Sequence, residues 1–264
     1  MKQDTIRGAT YTVDCEDYIH VVEFNPFDSV SPGSLIAYGG NDYVAIASCR
    51  FQEEDTSVNG IEFKILKTFH HEVRVDAITW SPETRYDTLT PVLRFCTAAG
   101  DKTLRIFTSD FHEENKCQLM VAEKTGTIRF YDLTTHQAIL SLESMQVPLM
   151  SADWCLKNTF RVGAVAGNDW VIWEMPRSSY PQDNKPSHAD RARFFRWSKC
   201  NENLFATTGC PGKMNSQLLI HHLGHPHPIL VGSASVGSGL SWHRTLPLCV
   251  VGGYRKLFFW LTEM

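Results

Sequence analysis

The sequence predicts an all-β protein built from a repeated unit, and three observations carry the prediction. Apolar runs of four to seven residues recur from end to end, among them HVVEF, YVAIAS, LRFCTAA, TIRFYDL, VGAVAG, LFATTG and LCVVGG, and their length and composition suit strands. Clusters such as GGND, AGDK, KTGT, AGND, CPGK and GGYR stand between them and supply Gly, Asn and Asp for the positive-φ positions of tight turns. Five segments end on an aromatic in one setting, at Phe24, Trp80, Trp154, Trp197 and Trp242. Helical spacing is essentially absent. A unit of about forty residues that repeats without helices is the pattern of a β-propeller.

The elements follow in order from two interleaved series. ATYTVDC at 9–15 has strand character and precedes the first aromatic-ended segment, HVVEFNPF. LIAYGG and NDYVAIAS come next. VRVDAITWSPET then closes at Trp80, and VLRFCTAAGDKTLRIFTSD supplies a middle strand through Phe95 and Ala98, a turn at Asp101 and a third strand closing at Phe107. Later third strands close at Tyr131 in TGTIRFY, Trp173 in NDWVIW, His221 in SQLLIH and Trp260 in YRKLFFW. After Trp260 only LTEM remains, so the last sheet needs a fourth strand to cover its edge. Residues 9–15 are expected to provide it by pairing with residues 256–261.

The alternation fails once. Tyr131 follows Phe107 by 24 residues, against 42 from Tyr131 to Trp173 and 39 from His221 to Trp260, and no aromatic-ended segment lies between. The short charged linker TSDFHEENKCQ leaves no room for the fourth strand of one unit or the first strand of the next. Six closing strands remain, with a disrupted junction near residues 107–121. Either two partial sheets merge there or a local gap is left, and exposed edges are expected at that junction.

These copies resemble degenerate WD40 repeats, with Phe107, Trp173 and Trp260 in the place of the repeat's Trp and His71 and Asp101 matching its His and turn Asp. More specifically, HVVEFNPF, GTIRFYDL, QVPLMSADWCLKN, VGAVAGNDW, SSYPQ, ENLFATTG, HHLGHP and VGSGLSWHRTLPLC are similar to the small WD-repeat nucleoporins of the Y-shaped outer-ring complex of the nuclear pore. The likeness runs almost end to end. It implies a seven-bladed propeller from which this chain lacks the stretch between Asn115 and Leu119. It also implies a non-catalytic scaffold that docks a large propeller-plus-helical subunit of the outer ring, supports pore assembly and transport, and follows the complex from the nuclear envelope to kinetochores in mitosis. A generic WD-repeat adaptor in another assembly is the alternative, and a propeller enzyme the third.

Composition and motifs limit other functions. With 264 residues, 43 % hydrophobic, 20 % charged and a net charge of −4, the chain reads as one globular domain over residues 1–264. It lacks the roughly 18-residue apolar run of a membrane span, and its acidic N-terminus lacks a secretory signal. Eight scattered cysteines without a C-x-x-C read as small buried hydrophobes of a reducing compartment. No G-x-S-x-G, H-E-x-x-H or G-x-x-x-x-G-K-[ST] occurs, and GSASVGSG from Gly232 to Gly239 has no lysine and no helix to follow it, so it reads as a turn. No catalytic residue and no cofactor is expected. HHLGHPHP carries His221, His222, His225 and His227, but the first two should point to opposite faces of a strand, and no metal site is assigned. Basic residues gather only in RARFFRWSK, Arg191 to Lys199, too few for strong counterion-release binding; no direct nucleic-acid contact is expected. Partner contact has two candidates. Trp170 either packs on a neighbouring sheet or anchors a partner, and Tyr180 sits in the polar loop Arg177–Ala192, which shows no strand period.

Overall fold

The computed structural model describes residues 6–27, 33–82, 84, 93–99, 104–107, 118–132, 135–175, 177–210, 217–234 and 238–262. Among them every regular element is a strand. In chain order these are β1 (Ile6–Arg7), β2 (Tyr11–Asp14), β3 (Val21–Phe24), β4 (Ser34–Gly39), β5 (Tyr43–Phe51), β6 (Ile61–His70), β7 (Val75–Trp80), β8 (Phe95–Ala99) and β9 (Leu104–Phe107). They continue as β10 (Gln118–Ala122), β11 (Thr127–Asp132), β12 (Gln137–Glu143), β13 (Leu149–Trp154), β14 (Arg161–Ala166), β15 (Asp169–Glu174) and β16 (Asp183–Pro186). The last are β17 (Ala192–Trp197), β18 (Leu204–Gly209), β19 (Leu218–His222), β20 (Leu230–Gly232), β21 (Leu240–Trp242), β22 (Leu248–Gly252) and β23 (Lys256–Leu261). The fold is all-β, with small antiparallel sheets of the WD40-like propeller kind.

The chain divides into two compact units. The first, Met1–Ile6 with His112–Val231, holds the sheets β10-β11-β12, β13-β14-β15-β16 and β1-β20-β19-β18-β17. The second, Arg7–Phe111 with Gly232–Met264, holds β3-β4-β5-β6, β7-β8-β9 and β2-β23-β22-β21.

Within each unit the core lies between neighbouring sheets, which is why the middle strands read as unbroken apolar runs. In β14 and β15, Val162, Ala164, Val171 and Trp173 face the cluster built with Ile128 and Phe130 of β11, while Val165, Trp170 and Ile172 face Phe195, Trp197 and Phe205 of the next sheet. In β4 the same alternation sends Ile36 and Tyr38 one way and Leu35 and Ala37 the other. Such close sheets demand small residues on the second strand. A Cβ at Gly163 would stand 2.2 Å from Cζ of Phe195.

The expected pairing of residues 9–15 with 256–261 is found: β2 joins β23 with Tyr11 opposite Phe259 and Asp14 opposite Lys256. The sequence reading missed that β1, just ahead of it, extends another sheet through β20; two residues are too few to show a period. On either side of the skipped repeat, the described residues form the three-stranded sheets β7-β8-β9 and β10-β11-β12. Residues 108–117 of that junction lie outside the described residues.

Two further expectations need correction. Arg177–Ala192 was expected to hold no strand, yet β16 pairs along β15 from Asp169↔Pro186 to Ile172↔Asp183. Its DNKP is almost wholly exposed, so main-chain bonds to an open sheet edge make the strand and no apolar alternation announces it. Among the described cysteines, all free, Cys49, Cys155 and Cys249 are buried, but Cys15, Cys96, Cys200 and Cys210 are only half-buried.

Candidate interaction surface

The five aromatics of the first series each end the first strand of a sheet: Phe24 in β3, Trp80 in β7, Trp154 in β13, Trp197 in β17 and Trp242 in β21. Each opposes a residue of the second strand, as in Trp80↔Phe95 and Trp197↔Phe205. The residue just before such an aromatic reaches the next one. Asp153 accepts the Trp197 amide through Oδ2 at 2.8 Å, Ser241 accepts that of Phe24 through Oγ at 3.0 Å, and the Glu23 carbonyl accepts the Trp80 indole at 3.1 Å. All but Trp154 are buried, so these residues are framework and offer a partner almost nothing.

The third-strand series is divided. Trp173 and Trp260 are buried, and their indole N–H groups donate to the carbonyls of Glu143 at 3.3 Å and Arg7 at 3.3 Å. Tyr131 is half-buried in β11. The backbone of Phe107 ends β9; its side chain and the whole of Asp101 lie outside the described residues. His71 is buried, with its Nε2 3.0 Å from Thr97 Oγ1 and its Nδ1 2.7 Å from the Val73 carbonyl.

Of the two partner candidates, Trp170 is 5 % exposed. Its ring meets Phe205 edge-on at 5.1 Å, and Lys185 Nζ covers it at 5.4 Å. It packs between sheets. Tyr180 is 57 % exposed, in the connection from β15 to β16, whose Ser179 carbonyl accepts the Glu143 amide at 2.8 Å. The turn from β13 to β14 leaves the same end of that sheet and carries Leu156 and Phe160, 58 % and 63 % exposed. It is braced: the Phe160 carbonyl accepts the Met175 amide at 2.7 Å, and that of Thr159 accepts the Trp154 indole at 2.8 Å. Sequence reasoning passed over Leu156 and Phe160, although two large apolar residues inside the turn CLKNTF were a legible signal.

The charges at this end are unevenly engaged. Glu174 is held by Arg161 at 3.3 Å and by Arg177 at 3.2 Å. Glu202, in the turn from β17 to β18, accepts from Asn158 at 2.9 Å and lies 3.7 Å from Arg161. Lys157 and Lys199 have no ion pair among the described residues. At the opposite end of the sheet, the turn that follows β12 exposes Met145 and Val147. It is fixed by Ser144 N–H to the Gly126 carbonyl at 2.9 Å and by Gln146 Nε2 to Asp169 at 2.8 Å.

No family model matches the chain. It is 57 % identical to Nucleoporin Nup37 of Homo sapiens and 55 % identical to that of Mus musculus, each over 326 aligned residues covering 100 % of both chains. The chain belongs to the Nup37 family of nucleoporins. The Drosophila melanogaster Nup37 is 33 % identical over 153 residues, 58 % of this chain and 47 % of its own.

Other constellations in this Nup37-family chain serve packing. His243 Nε2 lies 2.6 Å from Ser34 Oγ and 3.7 Å from Glu54, a set that superficially suggests a nucleophile and its base. Its Nδ1, however, accepts the amides of Leu246 at 3.1 Å and Thr245 at 3.3 Å. Serine and carboxylate therefore crowd one nitrogen, whereas a relay needs the acid behind the other. Burial lowers the His243 pKa, with Glu54 opposing. Among the described residues no three His, Cys, Asp or Glu side chains gather to hold a metal. In HHLGHPHP, His221 turns inward to Thr207 Oγ1 at 3.1 Å, while His222 and His225 meet at the surface with ring centroids 5.3 Å apart. RARFFRWSK contains β17, where Arg196 donates to Ser151 at 2.9 Å and Arg193 lies over Phe194 at 5.2 Å.

Proposed function

We propose that this chain is a non-catalytic scaffold subunit of the nuclear pore's outer-ring, Y-shaped complex. It docks a large propeller-plus-helical nucleoporin and carries roles in pore assembly, nucleocytoplasmic transport and kinetochore-linked chromosome segregation. The identity of 57 % over the whole of both chains carries the reading. A set of small packed sheets is suited to the role, because rigid loops and edges can bury a partner surface without reorganising. The 326-position alignment, set against 264 residues, leaves this chain opposite gaps; the proposal includes an internal deletion, which we assign to the skipped repeat from the aromatic register alone. No contact with nucleic acid or membrane is part of the proposal.

Affinity purification of the tagged full chain from nuclear-envelope extract, with mass spectrometry, tests it. Recovery of outer-ring nucleoporins is the expected result. Stable recovery of a different assembly without them would replace the proposal by a general WD-repeat adaptor, and turnover of a substrate by the purified chain would replace it by an enzyme.

A further inference from the structure

We infer that the end of the β13-β14-β15-β16 sheet carrying Leu156, Phe160 and Tyr180 is the docking surface, and that it takes an apolar protein segment bearing carboxylates. The inference rests on the scaffold reading above and names the face and the partner chemistry that the reading leaves open.

Three large apolar side chains more than half exposed at one end of one sheet exceed the scatter of single exposed apolar residues normal on a surface. Their supports are braced, since the Phe160, Thr159 and Ser179 carbonyls accept from the Met175 amide, the Trp154 indole and the Glu143 amide. Docking here therefore orders little new backbone, which keeps the entropic cost of association low.

Charge selects the partner. Glu174 and Glu202 are already engaged by Arg161, Arg177 and Asn158, and the Asn158–Glu202 bond brings the Lys199 turn against the Lys157 turn. Asp183, the first residue of β16, is the acid there without a described partner. Glu143 and Asp153 are half-buried and hydrogen-bonded to Thr127 and to the Trp197 amide, so Lys157 and Lys199 face only Asp183 as an exposed acid, although the whole chain has a net charge of −4. Carboxylates on the partner satisfy both lysines and speed encounter. A second copy of this chain would bring the same lysines into opposition. An anionic membrane is disfavoured because such binding takes clusters of roughly four to eight basic residues.

The probe is the purified large propeller-plus-helical outer-ring subunit, titrated against the full chain and its variants by calorimetry. Thermal melting checks that each exposed substitution leaves the fold intact. Phe160→Ala combined with Leu156→Ser should weaken binding by about a hundredfold. Lys157→Glu with Lys199→Glu should weaken it by about tenfold and flatten its salt dependence. Met145→Ser with Val147→Ser, at the opposite end, should leave it unchanged. Binding by the unaltered chain that survives both sets of substitutions overturns the docking assignment alone. Absence of any binding by the unaltered chain sinks the scaffold reading as well. Binding to phosphatidylserine vesicles that the lysine substitutions abolish would give the surface to a membrane and overturn the proposal.

Discussion

Thr207 shows how much a single side chain can carry. Its buried Oγ1 lies 2.8 Å from Ser187 Oγ, 3.0 Å from His188 Nε2 and 3.1 Å from His221 Nε2, so it ties the connection after β16 to β18 and β19. Burial holds both imidazoles neutral, lowering His188 to about 4 and His221 to about 3 from an ordinary 6.5. In the unfolded chain both would titrate near 6.5. The folded state therefore binds fewer protons, and its stability is complete above that value and lost as pH falls towards 4. The loss is at most about 1.4 kcal/mol per pH unit for each histidine. The melting temperature should fall between about pH 7 and about pH 5, and His221→Phe, which keeps the stacking on Phe205, should flatten that slope. Gly163 makes a second test. Gly163→Ala drives a methyl into the Phe195 ring and should cost about 1–3 kcal/mol in chemical denaturation.

Strand edges dominate at the scale of elements. β2 covers β23, and the Tyr11 hydroxyl donates to Glu53 at 2.6 Å. Removing residues 1–14 would strip both β1 and β2, leaving β23 with an unpaired edge and Phe51 and Phe259 without Tyr11 beside them. A substantial fall in melting temperature, with a rise in aggregation, is the expected outcome; an unchanged melt would mean that these strands are ornamental. The aromatic register located the first strands of five sheets because each of them ends on a large ring, buried in all but Trp154. It could not locate β16 or β1. Those strands exist only because a neighbour presents an open row of amides and carbonyls, and backbone pairing leaves no mark in side-chain pattern.

At the scale of the molecule, each unit is assembled from sheets discontinuous in sequence, the second joining Arg7–Phe111 to Gly232–Met264. The single-domain reading expects one cooperative thermal transition with the same midpoint by tryptophan fluorescence and far-ultraviolet circular dichroism. Two separated transitions would assign the units independent stability. The family was legible because its wording is spread over most of the chain, and the full-length relatives agree with it. The interaction surface was only partly so. Tyr180 was singled out from its loop, but Leu156 and Phe160 join it only because β13 to β14 and β15 to β16 turn at one end of a sheet.

By itself the sequence determined the all-β class, the repeat, its interruption after Phe107 and the pairing of the N-terminal strand with the last one. These rest on periodicity and turn chemistry, which are local properties of the chain. Only the tertiary structure decided that Trp170 is packed between sheets while Phe160 is presented, because exposure depends on which sheet arrives next to a residue. The same holds for His221, one of four histidines in a row of eight residues. It is set apart from the others by a threonine fourteen positions away.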